Sequence, residues 1–160
     1  MSKVRVLFIC MGNICRSPTA HGVFQQKVTE RGLNDQIEVD SAGTHAYHIG
    51  EAPDKRSQAT AVAHGYDLSD QRARQVTVYD FNEFDYVIGM DNTNHYNLSK
   101  LATEDELSKV HSMMSFAKDR SETEVPDPYY GADGFENVFE MIEVASDGLL
   151  EHIIETQLKP

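Results

Sequence analysis

The run "VRVLFI", Val4 to Ile9, is apolar at every position but one, and a helical pattern begins shortly after it. An antiparallel strand with one wet face would alternate apolar and polar residues. A strand apolar on both sides has to be covered on both sides, as in a parallel sheet. Ser17 is placed to cap the following helix, with Pro18 at its first position. Ala20, Val23, Phe24 and Val28 then recur at helical spacing, and Gly32 closes the helix. "IEVDSAG", residues 37–43, is a second strand, which makes a βαβ unit with a right-handed crossover.

The pattern repeats along the chain. Residues 53–65 read as a helix ending at Gly65, residues 84–90 as a third strand, and residues 109–114 as a short fourth. Asp91 suits the cap of the helix "NTNHYNLSKL". In the last helix Phe135, Val138, Phe139, Ile142, Ala145, Leu149 and Ile153 mark one apolar face. Alternating strands and helices imply an open α/β sheet, whose ligands sit beyond the carboxyl ends of strands at a switch in strand order.

Length and charge narrow the field. The 160 residues suggest a single domain spanning 1–160. A net charge of −12 argues against a broad nucleic-acid or acidic-membrane surface, but not against a small anion in a locally positive pocket. No apolar run approaches the roughly 20 residues of a membrane span, so no membrane insertion is expected. The N-terminus enters a strand without a signal-peptide pattern, and two cysteines are too few for a disulfide framework. Both features point to a reducing, cytoplasmic setting.

The loop "CMGNICRSP", residues 10–18, carries the chemistry. Gly12 and Asn13 tolerate positive φ, so the amides of Met11, Gly12, Asn13, Ile14 and Cys15 can turn toward one oxyanion. The helix beginning near Ser17 adds its positive end. Arg16 supplies a planar fork for two phosphate oxygens. Cys10 would lie beneath the anion, where those dipoles and Arg16 favour its thiolate, a good nucleophile toward phosphorus. Ser17 could donate to the sulfur when it leaves. The loop lacks the Gly-Lys-Ser/Thr of a nucleotide P-loop and the three glycines of a dinucleotide site. Two cysteines with no others do not form a zinc site.

This loop closely resembles the C-x-G-N-x-C-R-S-P active-site loop of the low-molecular-weight protein tyrosine phosphatases. "VDSAGT", "ARQV", "FDYVIGMD" and "PDPYYG" are similar to that family's other segments, in the same order. The resemblance implies an α/β/α fold of three layers, with a four-stranded parallel sheet and a phosphate loop between first strand and first helix. It implies hydrolysis of phosphotyrosine monoesters through a phospho-cysteine, without metal or organic cofactor. It also implies Asp127, between Pro126 and Pro128, as the general acid and then the base, a role contributing typically ~10²–10⁴-fold. Tyr129 and Tyr130 would flank the cleft, with Tyr47 on the opposite wall, favouring phosphotyrosine over shorter phosphoserine. Asn13 would hold the loop through Ser41. The family's histidine before "ARQ" is missing here, so Asp70, Gln71 or water takes its place. Cys15 would form a reversible, protective disulfide with Cys10, or is a packed spectator thiol. The partners implied are a tyrosine-phosphorylated protein, in bacteria a tyrosine autokinase, and inorganic phosphate or other oxyanions.

Plainer readings stand beside these. Asp91 is already occupied as a helix cap and is left outside the expected site. Arg74 could equally be solvated. The histidines at 21, 45, 48, 64, 95, 111 and 152 show no metal-ligand spacing. A thiol-dependent arsenate reductase on the same fold would need two later cysteines, and none follows Cys15. The phosphoarginine phosphatases carry Thr where Ile14 stands, and the bulkier Ile favours an aryl ester. A noncatalytic phosphate-binding module would not need Asp127.

Overall fold

The structure, a computed structural model, describes residues 3–128 and 134–158. Four strands, β1 (Val4–Cys10), β2 (Ile37–Gly43), β3 (Tyr86–Gly89) and β4 (Val110–Ser112), form one sheet in the order β2-β1-β3-β4. All its pairings are parallel. The helices are α1 (Arg16–Glu30), α2 (Lys55–Ala63), α3 (Asp80–Glu83), α4 (Asn92–Leu101) and α5 (Gly134–Ile153). The chain leaves β1 for β2 on one side and reaches β3 on the other. The carboxyl end of β1 therefore lies at the switch in strand order.

The apolar run of β1 divides as its pleat requires. Val6, Phe8 and Cys10 join a core with Ala20, Val23 and Phe24 of α1 and Phe139, Ile142 and Leu149 of α5. Leu7 and Ile9 face the other way, toward Phe81 of α3 and Leu98 of α4. Successive side chains point to opposite faces, so both layers of helices are anchored by one strand. Each fully buried Phe or Leu contributes roughly 1.5–3 kcal/mol. The three-layer α/β/α architecture is the one expected.

Several boundaries move. The third strand is shorter than residues 84–90, because Phe84 follows α3 as its C-cap and packs into the second core. The fourth ends at Ser112, where Met113–Phe116 tighten into a 3₁₀ turn. Helix α2 starts only after Asp54, whose carboxylate accepts from the Arg56 and Ser57 amides. The buried face of α5 is broader than expected, taking in Met141, Ser146, Gly148 and Leu150. Phe135 sits at its edge under the Arg56 guanidinium, 4.8 Å from the ring centre. A side chain at Gly148 would meet the Phe116 carbonyl at 1.8 Å, so glycine is what lets α5 approach the end of the sheet. Among the described residues no helix is long and apolar enough to cross a membrane.

Candidate active site

Residues 11–15 form the loop between β1 and α1, and it is tied down from several sides. Asn13 has φ of 58°, in the left-handed region where Asn is one of the few tolerated side chains. Thr44 donates its amide to the Cys10 carbonyl at 3.0 Å and His45 to that of Met11 at 3.0 Å. Asp54 donates its amide to the Ile14 carbonyl at 2.7 Å. A Cβ at Gly43 would lie 2.7 Å from the Met11 carbonyl oxygen, so the loop rests directly on the end of β2.

Ser17 is not the helix cap. Helix α1 begins at Arg16, Cys15 occupies the cap position, and the Cys15 side chain does not cap the first amides. Pro18 is therefore the third helical residue, where its missing N–H still costs nothing to the ladder. The Ser17 hydroxyl is committed elsewhere, 3.1 Å from Cys10 Sγ and fully buried.

The direction of that contact follows from its neighbours. The Arg74 amide donates to Asn13 Oδ1 at 3.0 Å, which turns Asn13 Nδ2 toward Ser17 Oγ at 2.8 Å and Ser41 Oγ at 3.1 Å. Ser17 thus accepts from Asn13, which leaves its own hydrogen available to the sulfur. Arg74 is not simply solvated, since its guanidinium pairs with Asp40 at 3.0 Å and Asp80 at 3.1 Å.

Arg16 is nearly buried, and its Nη1 donates to Asp91 Oδ2 at 2.6 Å and to the Val125 carbonyl at 2.9 Å. Burial opposes its charge, but the Cys10 sulfur, Asp91 and Asp127 outweigh that and hold its pKa above the ordinary value. The sequence predicts Asp91 only as a cap. It is both: Oδ1 accepts from the Asn94 amide at 2.7 Å while Oδ2 holds Arg16. One signal was available in the sequence, because Asp91 stands just past the carboxyl end of the strand next to β1. The two roles are separable. Asp91→Asn keeps the cap but cannot offer an acceptor to both the Asn94 amide and Arg16. We expect about tenfold lower kcat/KM, or ~1.4 kcal/mol, with little change in melting temperature. Steady-state kinetics and a thermal melt, with Asp91→Ala losing both properties, check this.

Cys10, Met11, Gly12, Ile14, Cys15, Arg16, Tyr47 and Asp127 line one cleft of about 110 Å³, together with His48 and Pro128. Asn13 and Ser17 lie beneath it and Ser41 lies behind. Cys10 and Cys15 are both buried as reduced thiols. Tyr47 is 69% exposed and stacks on His45 at 5.2 Å, an aromatic wall at the mouth. Tyr129 and Tyr130 fall outside the described residues. His48 lines the cleft although nothing in its sequence spacing marks it; its Nδ1 lies 2.5 Å from Glu51 Oε2. Of the two residues before Arg72, Gln71 is the one that meets the network: its Nε2 donates to the Pro18 carbonyl at 2.8 Å, and its Oε1 accepts from Ser41 at 3.4 Å. Among the described residues no group of three or more His, Cys, Asp or Glu side chains is placed to hold a metal ion.

Known proteins resemble this chain in sequence and in fold. The family model of low molecular weight phosphotyrosine protein phosphatase matches residues 5–159. A low molecular weight protein-tyrosine-phosphatase of Streptomyces coelicolor is 45% identical over 155 residues, 94% of each chain. The crystal structure of YfkJ from Bacillus subtilis superposes with a TM-score of 0.93 at 36% identity, covering 98% of each chain. A protein tyrosine phosphatase of Entamoeba histolytica, with Hepes in its active site, gives 0.92 at 38% identity, over 96% of this chain and 98% of that one. With the match running through the phosphate loop, the sheet and the last helix alike, the chain belongs to the low molecular weight phosphotyrosine protein phosphatase family.

Proposed function

We propose that this chain hydrolyses phosphotyrosine in phosphorylated proteins, with Cys10 as nucleophile, Arg16 as phosphate clamp and Asp127 as acid and base. The observation that carries the reading is the one cleft lined by Cys10, Arg16 and Asp127, with a serine hydroxyl turned to the sulfur. The thiolate attacks phosphorus, the ester P–O bond breaks, and Asp127 gives its proton to the departing phenolate oxygen. Amides of residues 11–16 and the Arg16 fork stabilise the equatorial oxygens, where charge gathers in the transition state. Asp127, now a carboxylate, takes a proton from water, the water oxygen bonds to phosphorus, and the P–S bond breaks. Ser17 donates to the leaving sulfur, and inorganic phosphate departs. Roles for Tyr129 and Tyr130 beside Tyr47 belong to the same proposal.

The chemistry requires a reduced Cys10, which suits a cytoplasmic setting. Cys15 lines the same cleft, and a peroxide, by taking two electrons and two protons from the pair, would close a reversible disulfide between the two thiols; this is the redox sensitivity we propose. A tyrosine autokinase is the partner we propose if the source is bacterial. Residues 1–160 act in this reading as one phosphatase domain.

Rapid quench with a ³²P-phosphotyrosine peptide tests the reading. The expected result is acid-stable label on Cys10 that appears and decays within turnover. A phosphoarginine peptide turned over faster than the phosphotyrosine one, or arsenate reduced by thiols, would replace it with a different reaction on the same loop. EDTA in the same assay is expected to leave the rate unchanged.

A further inference from the structure

Behind the phosphate loop, on the far side from the cleft, lies a second cavity of about 330 Å³. Its walls are His21, Asp40, Ser41, Asp70, Gln71 and Arg72. His21 is a turn along α1 from Ser17, partly buried, and its Nδ1 is 3.2 Å from Ser41 Oγ. Nothing in the chemistry of the cleft uses this histidine.

The hydrogen count around Ser41 assigns its form. The Gln71 amide cannot flip, because its Nε2 donates to the Pro18 carbonyl, so Oε1 faces Ser41. The Asn13 amide cannot flip either, because its Oδ1 accepts from the Arg74 amide. Ser41 Oγ therefore accepts from Asn13 and donates its one hydrogen to Gln71. The remaining lone pair faces His21 Nδ1. Were that nitrogen bare, two acceptors would compete for one hydrogen, and a contact beside the phosphate loop would be left unsatisfied. A proton on Nδ1 satisfies all three partners at once.

We propose that His21 is a positioning residue of the phosphate loop, its Nδ1–H donating to Ser41 and thereby fixing, through Asn13, the Ser17 hydroxyl that faces Cys10. Burial pushes the His21 imidazole below its usual pKa, against the opposing pull of Asp40 and Gln71. The resting form is then neutral imidazole carrying its proton on Nδ1. The chain Ser41–Asn13–Ser17–Cys10 spans 3.1, 2.8 and 3.1 Å. In a low-dielectric network of this kind each bond depends on the next. The inference rests on the phosphatase reading for its effect on turnover, but not for its effect on the thiol.

Two measurements test it. In ¹⁵N-labelled protein near pH 7.5, His21 is expected to show a pyrrole-type Nδ1 and a pyridine-type Nε2; the reverse pattern overturns the proposal. Substitution separates donor from bulk. His21→Leu fills the space without a donor, whereas Asn places an amide nitrogen at the position of Nδ1. The Leu variant is expected to alkylate Cys10 with iodoacetamide at pH 6 roughly three- to tenfold more slowly, the worth of one buried hydrogen bond. Its kcat on a phosphotyrosine peptide should fall by a similar factor, and His21→Asn should restore most of both. Equal behaviour of Leu and wild type, or of Leu and Asn, refutes the role. Should the Leu variant fail to fold, the nitrogen shifts of the wild type still decide. Should alkylation respond while the wild type turns over no phosphotyrosine, the positioning stands and the phosphatase reading falls.

Discussion

Cys10→Ser abolishes turnover, by roughly 10⁴-fold or more, while leaving the oxyanion site in place. The serine hydroxyl is far less acidic than a thiol, and residues 11–15 offer no side chain that could take its proton. What remains are the parts that bind the anion: the backbone of residues 11–15, the start of α1 and Arg16 held by Asp91 and Val125. Vanadate or phosphate should therefore still bind, seen as a rise in melting temperature with added ligand. The substitution removes no packing volume of consequence from a residue at the edge of the core, so the apo fold should survive. Full activity in this variant would eliminate the phospho-cysteine route. Loss of anion binding along with activity would mean that the sulfur builds the site as well as attacking from it.

Asp127→Asn is expected to slow hydrolysis by about 10²–10³-fold, within the range for loss of a general acid. The size depends on what leaves. A phenolate that departs unaided needs little proton transfer, so an activated aryl phosphate should lose least and an alkyl phosphate most. Asparagine keeps the shape of the side chain beside Pro128, so the cleft that Asp127 lines with Cys10 and Arg16 is preserved. It cannot give up a proton at the needed acidity. A series of aryl phosphates of graded leaving-group acidity checks this. The same drop for every member would assign Asp127 to binding rather than to proton transfer. A rate restored by azide or formate attacking the phospho-cysteine would isolate its second role, as the base for water.

Much of this was legible because it is local. Val4 to Ile9 has the composition of a strand covered on both faces, and both covers exist. The spacing in residues 135–153 marked the helix that packs against α1. Gly12, Asn13, Cys10 and Arg16 are contiguous, so their use as an anion loop could be argued from residue type alone. Boundaries were less readable. Phe84 and Met113 are as apolar as their neighbours in β3 and β4, yet one lies before its strand and the other in a 3₁₀ turn after it. Hydrophobicity reports burial, whereas the end of a strand depends on where its partner stops offering hydrogen bonds.

Residue order therefore determined the layers, the apolar faces and the phosphate loop, since each depends on neighbours a few positions apart. Only the tertiary structure decided who holds the loop. Asp91 on Arg16 is a pairing across 75 positions, and Gln71 and His21 reach Ser41 from separate segments. Ser17 looked like a cap because capping is the local use of a serine before a helix. Once Asn13 and Cys10 are brought beside it, the hydroxyl has two partners that satisfy it away from water. Short-range preference sets what a side chain can do; long-range packing sets which partner it meets.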